Sequence, residues 1–201
     1  MRTALLALFI TLAVSVQAEA PVPRPSKEFT VAVPGGQQIL LSSLKGKVVV
    51  VQYLFTWCQH CQAFSKILTQ LNNEYSSRGF QALGVAFNEP DGPNDKVPLK
   101  DKAVAYSQQY AGFPVGAASR SMVFGYLGLS ELQRVGVPQI VVIDRKGVIR
   151  EQSPGEGGGP LGDPAHLKPL IETLLAEGAP AKAPAKTGDT KKKATDKKAS
   201  E

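Results

Sequence analysis

The stretch KVVVVQYLFTWCQHC, residues 47–61, decides the fold. Its nearly continuous apolar run over residues 48–55 is too hydrophobic for a half-exposed strand, so it predicts a central strand that is covered on both faces. Cys58 and Cys61 follow directly. Apolar residues then recur at helical spacing, which predicts an amphipathic helix with the apolar face Phe64, Ile67, Leu68, Leu71 and Tyr75. The two cysteines are therefore expected where a buried strand ends and a helix begins.

Strand-like and helix-like segments alternate along the rest of the chain. Hairpins are predicted at residues 29–41 and 137–152, a strand at 80–88, a helix at 100–110, and a last helix between Asp163 and Gly178. Residues 113–126 fit no single pattern. The alternation is typical of an α/β domain built around a mostly parallel sheet.

A glycine-rich segment, residues 155–162, precedes the last helix. It has neither the spacing nor the lysine of a phosphate-binding loop, and it does not connect a strand to a helix in the dinucleotide-binding pattern. We predict that it is a flexible linker.

The two ends of the chain differ in composition from the middle. Residues 1–18 have Arg2, an apolar run and small residues up to Ala18, which together predict a secretory signal peptide. The apolar run is shorter than the roughly 20 residues that cross a bilayer, although an uncleaved anchor is the alternative. We therefore predict an exported, periplasmic or extracytoplasmic protein with a linker at 19–26 and a folded domain at 27–177.

Residues 178–201 contain Ala, Pro, Lys, Thr and Asp but no aromatic or large aliphatic residue, which predicts a disordered tail. The tail holds seven lysines and three acidic residues, so +4 of the formal net charge of +6 lies there. We expect a solubilising tail, with at most weak association with acidic surfaces such as anionic membranes. Nucleic acid is not an expected partner, since no basic patch is interleaved with aromatic residues.

The position of the cysteines predicts their chemistry. A thiol at a helix N-terminus meets unpaired backbone N–H groups and the positive end of the helix dipole, so its thiolate form is favoured. Cys58, nearer the exposed mouth, is the predicted nucleophile that forms a mixed disulfide, and Cys61, one turn along, is the predicted resolving thiol. His60, when protonated, would add positive charge beside the pair.

Two structural roles for the cysteines are weaker alternatives. A disulfide closing so short a loop stabilises a protein by only about 2 kcal/mol, and a domain of this size has its own core. A structural zinc site needs four ligands, and only His60 and His166 could join the cysteines as histidine ligands. We expect no metal and no other cofactor.

Three segments together resemble the TlpA-like, AhpC/TSA-related branch of the thioredoxin superfamily. They are the WCQHC motif after an apolar strand, the later Gly136-Val137-Pro138 step, and IDRKG at 143–147. The resemblance implies a thioredoxin-like fold with a central mixed sheet flanked by helices, and with an N-terminal β-hairpin extension. It implies a thiol-disulfide oxidoreductase that exchanges disulfides with protein substrates and with an unidentified redox donor or acceptor. It also implies that Trp57 supports the site and that Pro138 has a cis peptide bond and lies against the active-site disulfide.

The sequence departs from this family at two positions. Many relatives have a glutamate where this chain has Phe64, and thioredoxins have a buried aspartate where it has Gln52. Neither residue is a titratable base. Proton transfer at Cys61 is therefore expected to use water, His60, or an acid that the linear sequence does not reveal.

Three other functions remain open from the sequence. A peroxidase is suggested by the peroxiredoxin-related branch, although Val51 and Phe55 occupy the places of the proline and threonine that precede a peroxiredoxin's reactive thiol. A Cu(I) chaperone would use soft thiolates, although such relatives have three residues between their cysteines and this chain has two. The third is a domain that binds partners without turnover.

Overall fold

The backbone of the domain is one mixed β-sheet. In the computed structural model, which describes residues 20–88 and 95–177, the sheet has eight strands in the order β1-β8-β7-β4-β5-β6-β2-β3. The strands are β1 Arg24–Pro25, β2 Thr30–Ala32, β3 Gln38–Leu40, β4 Val48–Leu54, β5 Phe80–Ala86, β6 Val115–Ala117, β7 Gln139–Ile143 and β8 Val148–Gln152. The predicted signal peptide, the tail and residues 89–94 of the predicted loop lie outside the described residues.

The sheet is less parallel than the sequence pattern predicts. Strand β4 pairs in parallel with β5, and β5 pairs in parallel with β6. The remaining pairings are antiparallel, because the hairpins β7–β8 and β2–β3 join the sheet on either side of this parallel centre. The expectation of a mostly parallel sheet was wrong. The mixed sheet with an N-terminal hairpin, which the resemblance implies, is confirmed.

Four α-helices cover the two faces of the sheet in the described part of the chain. They are α1 Gln59–Tyr75, α2 Leu99–Tyr110, α3 Arg120–Leu127 and α4 Pro164–Glu177. Every residue of β4 is buried, and its side chains alternate between the two faces. Val48, Val50 and Leu54 pack with α1, α2 and α4, whereas Val49, Val51 and Tyr53 pack with α3. This two-sided burial explains the nearly continuous apolar run of β4.

Two segments acquire structure that the sequence pattern did not predict. The unassigned residues 113–126 contain β6 and most of α3, and the hydroxyl of Ser119 caps the helix by accepting the Met122 N–H at 3.3 Å. Part of the predicted linker, residues 19–26, lies in the sheet, because β1 pairs with β8. The Ser26 N–H also donates to the Gly147 carbonyl at 2.9 Å. Two paired residues are too few to give a recognisable strand pattern.

Of the helices that the structure describes, none combines the length and the apolar character needed to span a membrane.

Candidate active site

Cys58 occupies the N-cap position of α1. The chain turns after β4 through a hydrogen bond from the Cys58 N–H to the Phe55 carbonyl at 3.0 Å. The Cys58 backbone is extended, with φ −75° and ψ 114°, and its sulfur accepts the Cys61 N–H at 3.2 Å. An N-terminal N–H group that points at a sulfur stabilises negative charge on it. The predicted junction of buried strand and helix is therefore present, with the first cysteine at the cap.

Cys61 lies directly behind Cys58 and is fully buried. Its Sγ donates to Cys58 Sγ across 2.6 Å, and both residues are free thiols. Burial, followed by this hydrogen bond, raises the pKa of Cys61 far above the ordinary thiol value. At neutral pH the proton therefore remains on Cys61, and the Cys61 thiol points at the Cys58 sulfur.

Cys58 is less open than the sequence suggests. It retains 7% of its accessible surface, against 0% for Cys61. The carbonyl oxygen of Val137 lies 3.8 Å from Cys58 Sγ, and the Val137–Pro138 peptide bond is cis, the isomer that the resemblance implies. The expectation of an exposed mouth thus needs correction, since the loop before β7 covers most of the sulfur. Only a small part of Cys58 is therefore open to solvent.

Trp57 forms an exposed part of this surface. It is 57% exposed, and its ring lies 5.3 Å from that of Phe55, measured between centroids. The turn before it is fixed by Asn88, two residues after β5, whose side-chain oxygen accepts the Thr56 N–H at 3.1 Å. A large apolar side chain is therefore exposed to solvent at the residue that precedes Cys58.

The glycine-rich loop is anchored to the proline loop, contrary to the prediction of a flexible linker. The Gly136 N–H donates to the Gly155 carbonyl at 2.8 Å, and the Gly158 N–H donates to the Pro138 carbonyl at 2.8 Å. The buried amide of Gln139 adds hydrogen bonds to the Gly136 and Pro154 carbonyls at 2.9 and 2.8 Å. The two loops hold each other in place.

A hydrogen-bonded chain of neutral side chains lies beneath Cys61. The amide of Gln52 donates to the Cys61 carbonyl at 2.9 Å and accepts from the Ser65 hydroxyl at 2.7 Å. Because the Ser65 proton is used there, the Tyr106 hydroxyl, 2.8 Å away, donates to Ser65. Burial raises the pKa of Tyr106 strongly, so the phenol keeps its proton. The chain positions Cys61 without a charged group.

The sequence shows Gln52 as a departure from the thioredoxin family, but its hydrogen-bond partners were not predicted. The one signal was a polar residue within an apolar strand, on the face that Val50 and Leu54 share with α1. Ser65 also lies on the buried face of α1, where a hydroxyl requires a partner. Nothing in the sequence pointed to Tyr106.

The two histidines occupy different environments. His60 is exposed on the first turn of α1 and lines a groove beside the proline loop. His166 lies on α4, with its Nε2 2.7 Å from a carboxylate oxygen of Glu151. Across residues 20–88 and 95–177, no three His, Cys, Asp or Glu side chains are grouped so that they could hold a metal ion.

The raised pKa of Cys61 predicts a pH-dependent stability of the reduced protein. The folded state holds a proton that an unfolded thiol loses above about pH 8.5. The contribution of this proton to stability is complete below that pH and declines above it. Above that pH the free energy of unfolding should therefore fall by up to about 1.4 kcal/mol per pH unit. Urea unfolding between pH 7 and 10 measures this slope.

A Cys61→Ala variant is the control for that measurement. It lacks the buried thiol, so its stability should fall less steeply over the same pH interval. Equal slopes for the two proteins would contradict the assignment of the buried proton to Cys61.

The fold and the paired thiols define a thioredoxin-like thiol-disulfide oxidoreductase, and comparisons with known proteins agree. The AhpC/TSA family model matches residues 22–152, more than half of the chain. The chain belongs to the AhpC/TSA family.

Named relatives include oxidoreductases of this class. The thiol-disulfide oxidoreductase ResA of Bacillus thuringiensis (strain Al Hakam) is 26% identical over 135 residues, covering 67% of this chain and 70% of ResA. The thiol:disulfide interchange protein DsbE of Escherichia coli (strain K12) is 29% identical over 135 residues, covering 67% of this chain and 64% of DsbE. A solved thiol:disulfide interchange protein of Chlorobium tepidum TLS superposes with a TM-score of 0.58 at 25% identity, covering 79% of this chain and 99% of that one. The TlpA-like resemblance is thereby confirmed.

Proposed function

We propose that the protein exchanges disulfides with protein substrates outside the cytoplasm, with Cys58 as nucleophile and Cys61 as resolving thiol. The observation that carries the proposal is the arrangement of the two sulfurs. Cys58 Sγ receives hydrogen bonds from both the N–H and the thiol of Cys61, whereas Cys61 is fully buried and keeps its proton. Of the two sulfurs, only that of Cys58 accepts hydrogen bonds from the helix N-terminus and the other thiol, and only Cys58 keeps some exposed surface.

In the reductive direction, the Cys58 thiolate attacks one sulfur of a substrate disulfide. The S–S bond breaks, a mixed disulfide forms, and the departing substrate sulfur takes up a proton. Cys61 then loses its proton and attacks Cys58 Sγ, which releases the second substrate thiol and leaves a Cys58–Cys61 disulfide. A dithiol partner returns the pair to the reduced state, and the same steps in reverse oxidise a substrate dithiol.

Three neighbouring residues support this chemistry in the proposal. The loop at Pro138 brings the Val137 carbonyl against Cys58 Sγ and so limits the approach to that sulfur. Trp57 offers an exposed apolar surface for a bound substrate. His60, on the exposed first turn, is a solvent-accessible group that can exchange protons near the pair. Export rests on the pattern of residues 1–18.

The proposal is tested by trapping the mixed disulfide. Reduced Cys61→Ala protein should form a covalent adduct with a model protein carrying one accessible disulfide, because no second thiol resolves it. Non-reducing electrophoresis detects the adduct, and excess dithiothreitol should remove it.

The Cys58→Ala variant, which retains only the buried Cys61 thiol, is the matched control and should give no adduct. Absence of an adduct with Cys61→Ala, while a thiol assay shows Cys58 to be reduced, would contradict the proposal.

A further inference from the structure

A groove lies beside the covered face of Cys58. Its volume is about 640 Å³, and its apolar floor comprises Ala63, Phe64 and Ile67 of α1 together with Val137 and Pro138. Val137 is also the residue whose carbonyl lies 3.8 Å from Cys58 Sγ. The groove therefore shares Val137 with the contact that covers Cys58, and it follows α1 as far as Ile67.

The charged side chains on the groove are acidic, although the chain as a whole carries a formal charge of +6. Glu156 and Asp163 line it, both exposed, and His60 is the remaining titratable residue of the lining. Neither lysine nor arginine is among the described residues of that lining. A field of one sign beside an apolar floor selects ligands that carry the opposite charge and an apolar group.

Both carboxylates stand on fixed backbone. Asp163 Oδ1 accepts the Ala165 N–H at 2.9 Å at the start of α4. The loop that bears Glu156 is tied down on either side by the hydrogen bonds between Gly155 and Gly136 and between Gly158 and Pro138. The two charges are therefore presented at defined places along the groove.

We infer that the groove selects substrates whose reactive cysteine is flanked by an apolar residue and, a few residues further on, by lysine or arginine. The inference rests on the proposed exchange function and specifies its substrate class. The apolar residue lies against Phe64, Ile67 and Pro138, and the cationic side chain pairs with Glu156 or Asp163. Each solvent-exposed ion pair of this kind changes binding by about two- to fivefold.

Matched peptides test the inference directly. Each has one cysteine in a mixed disulfide with 2-mercaptoethanol, a valine beside it, and two lysines, two glutamines or two glutamates further on. The rate constant of release of 2-mercaptoethanol by the reduced protein should follow the order lysine, glutamine, glutamate. We expect the rate constants of the lysine and glutamate peptides to differ by about tenfold at an ionic strength of about 0.01 M. The ratio should approach one at about 1 M, where the screening length falls to about 3 Å. Serine in place of the valine should slow the lysine peptide.

Charge-removing variants locate the effect. Glu156→Gln and Asp163→Asn should each reduce the lysine-to-glutamate ratio several-fold, and asparagine preserves the helix cap at 163. Glu74→Gln is the matched control, because it removes an exposed carboxylate about 21 Å along α1 from His60. The ratio of the Glu74→Gln variant should equal that of the wild type.

The outcomes separate the inference from the function on which it rests. Equal rates for the three peptides would overturn the inference and leave the exchange function standing. So would a lysine-to-glutamate ratio that falls as much in Glu74→Gln as in Glu156→Gln and Asp163→Asn. If none of the peptides reacts, although a thiol-labelling reagent shows that Cys58 is reduced, both the inference and the proposed exchange function are wrong.

Discussion

Replacing Cys58 by serine is expected to abolish disulfide exchange while the domain stays folded. Serine is a favoured N-cap residue, so its hydroxyl can accept the Cys61 N–H as the sulfur does. The hydroxyl cannot form a mixed disulfide, and the remaining thiol of Cys61 is fully buried. Turnover of a model disulfide substrate should drop to the uncatalysed rate, whereas the urea midpoint should remain close to that of the reduced wild type.

The matched variant is Cys61→Ser, which keeps the accessible sulfur. Each molecule of this variant should react with one substrate molecule and then stop at the mixed disulfide. Substantial turnover by Cys58→Ser would mean that Cys61 is the attacking thiol, and the assignment of roles would have to be reversed.

Replacing Gly136 by alanine is expected to damage both stability and exchange. An added Cβ would lie 1.6 Å from the Glu156 carbonyl oxygen and 2.3 Å from its carbon. These are backbone atoms, so the two loops would have to separate and break the hydrogen bonds between them. We expect a loss of about 2–4 kcal/mol in the free energy of unfolding. Exchange should also slow, because the displaced loop carries Val137. Urea unfolding and the exchange rate measure the two effects.

Gly125→Ala provides the control for that substitution. Gly125 lies within α3, and a Cβ there meets no atom within 4 Å. Alanine is the better helix former, so the free energy of unfolding of this variant should rise by up to about 1 kcal/mol, and its exchange activity should be unchanged. If Gly136→Ala were as stable and as active as Gly125→Ala, the packing of the two loops would have no bearing on the site.

The sequence was most informative where structure depends on neighbouring residues. The buried strand β4, the helix that follows it and the two cysteines at their junction follow from apolar spacing alone. The cis bond at Pro138 was implied only by family resemblance, because periodicity carries no signal for a peptide isomer.

The missed features depend on contacts between residues that are distant in sequence. Ser65 and Tyr106 are 41 positions apart, and the spacing pattern of either helix gives no sign of their hydrogen bond. The glycine-rich loop was predicted to be flexible because glycine tolerates many conformations. Its order comes from the proline loop, whose Gly136 and Pro138 lie about twenty positions earlier. The pairing of β1 with β8 is another such long-range contact.

The uncharged chain of Tyr106, Ser65 and Gln52 has a consequence for how the protein tolerates acid. A buried carboxylate in place of Gln52 would take up a proton as the pH falls, and the charge of the protein interior would change with that protonation. An amide, a hydroxyl and a phenol with a raised pKa have no proton to gain in that range. The support beneath Cys61 therefore keeps the same charge from acid to neutral pH.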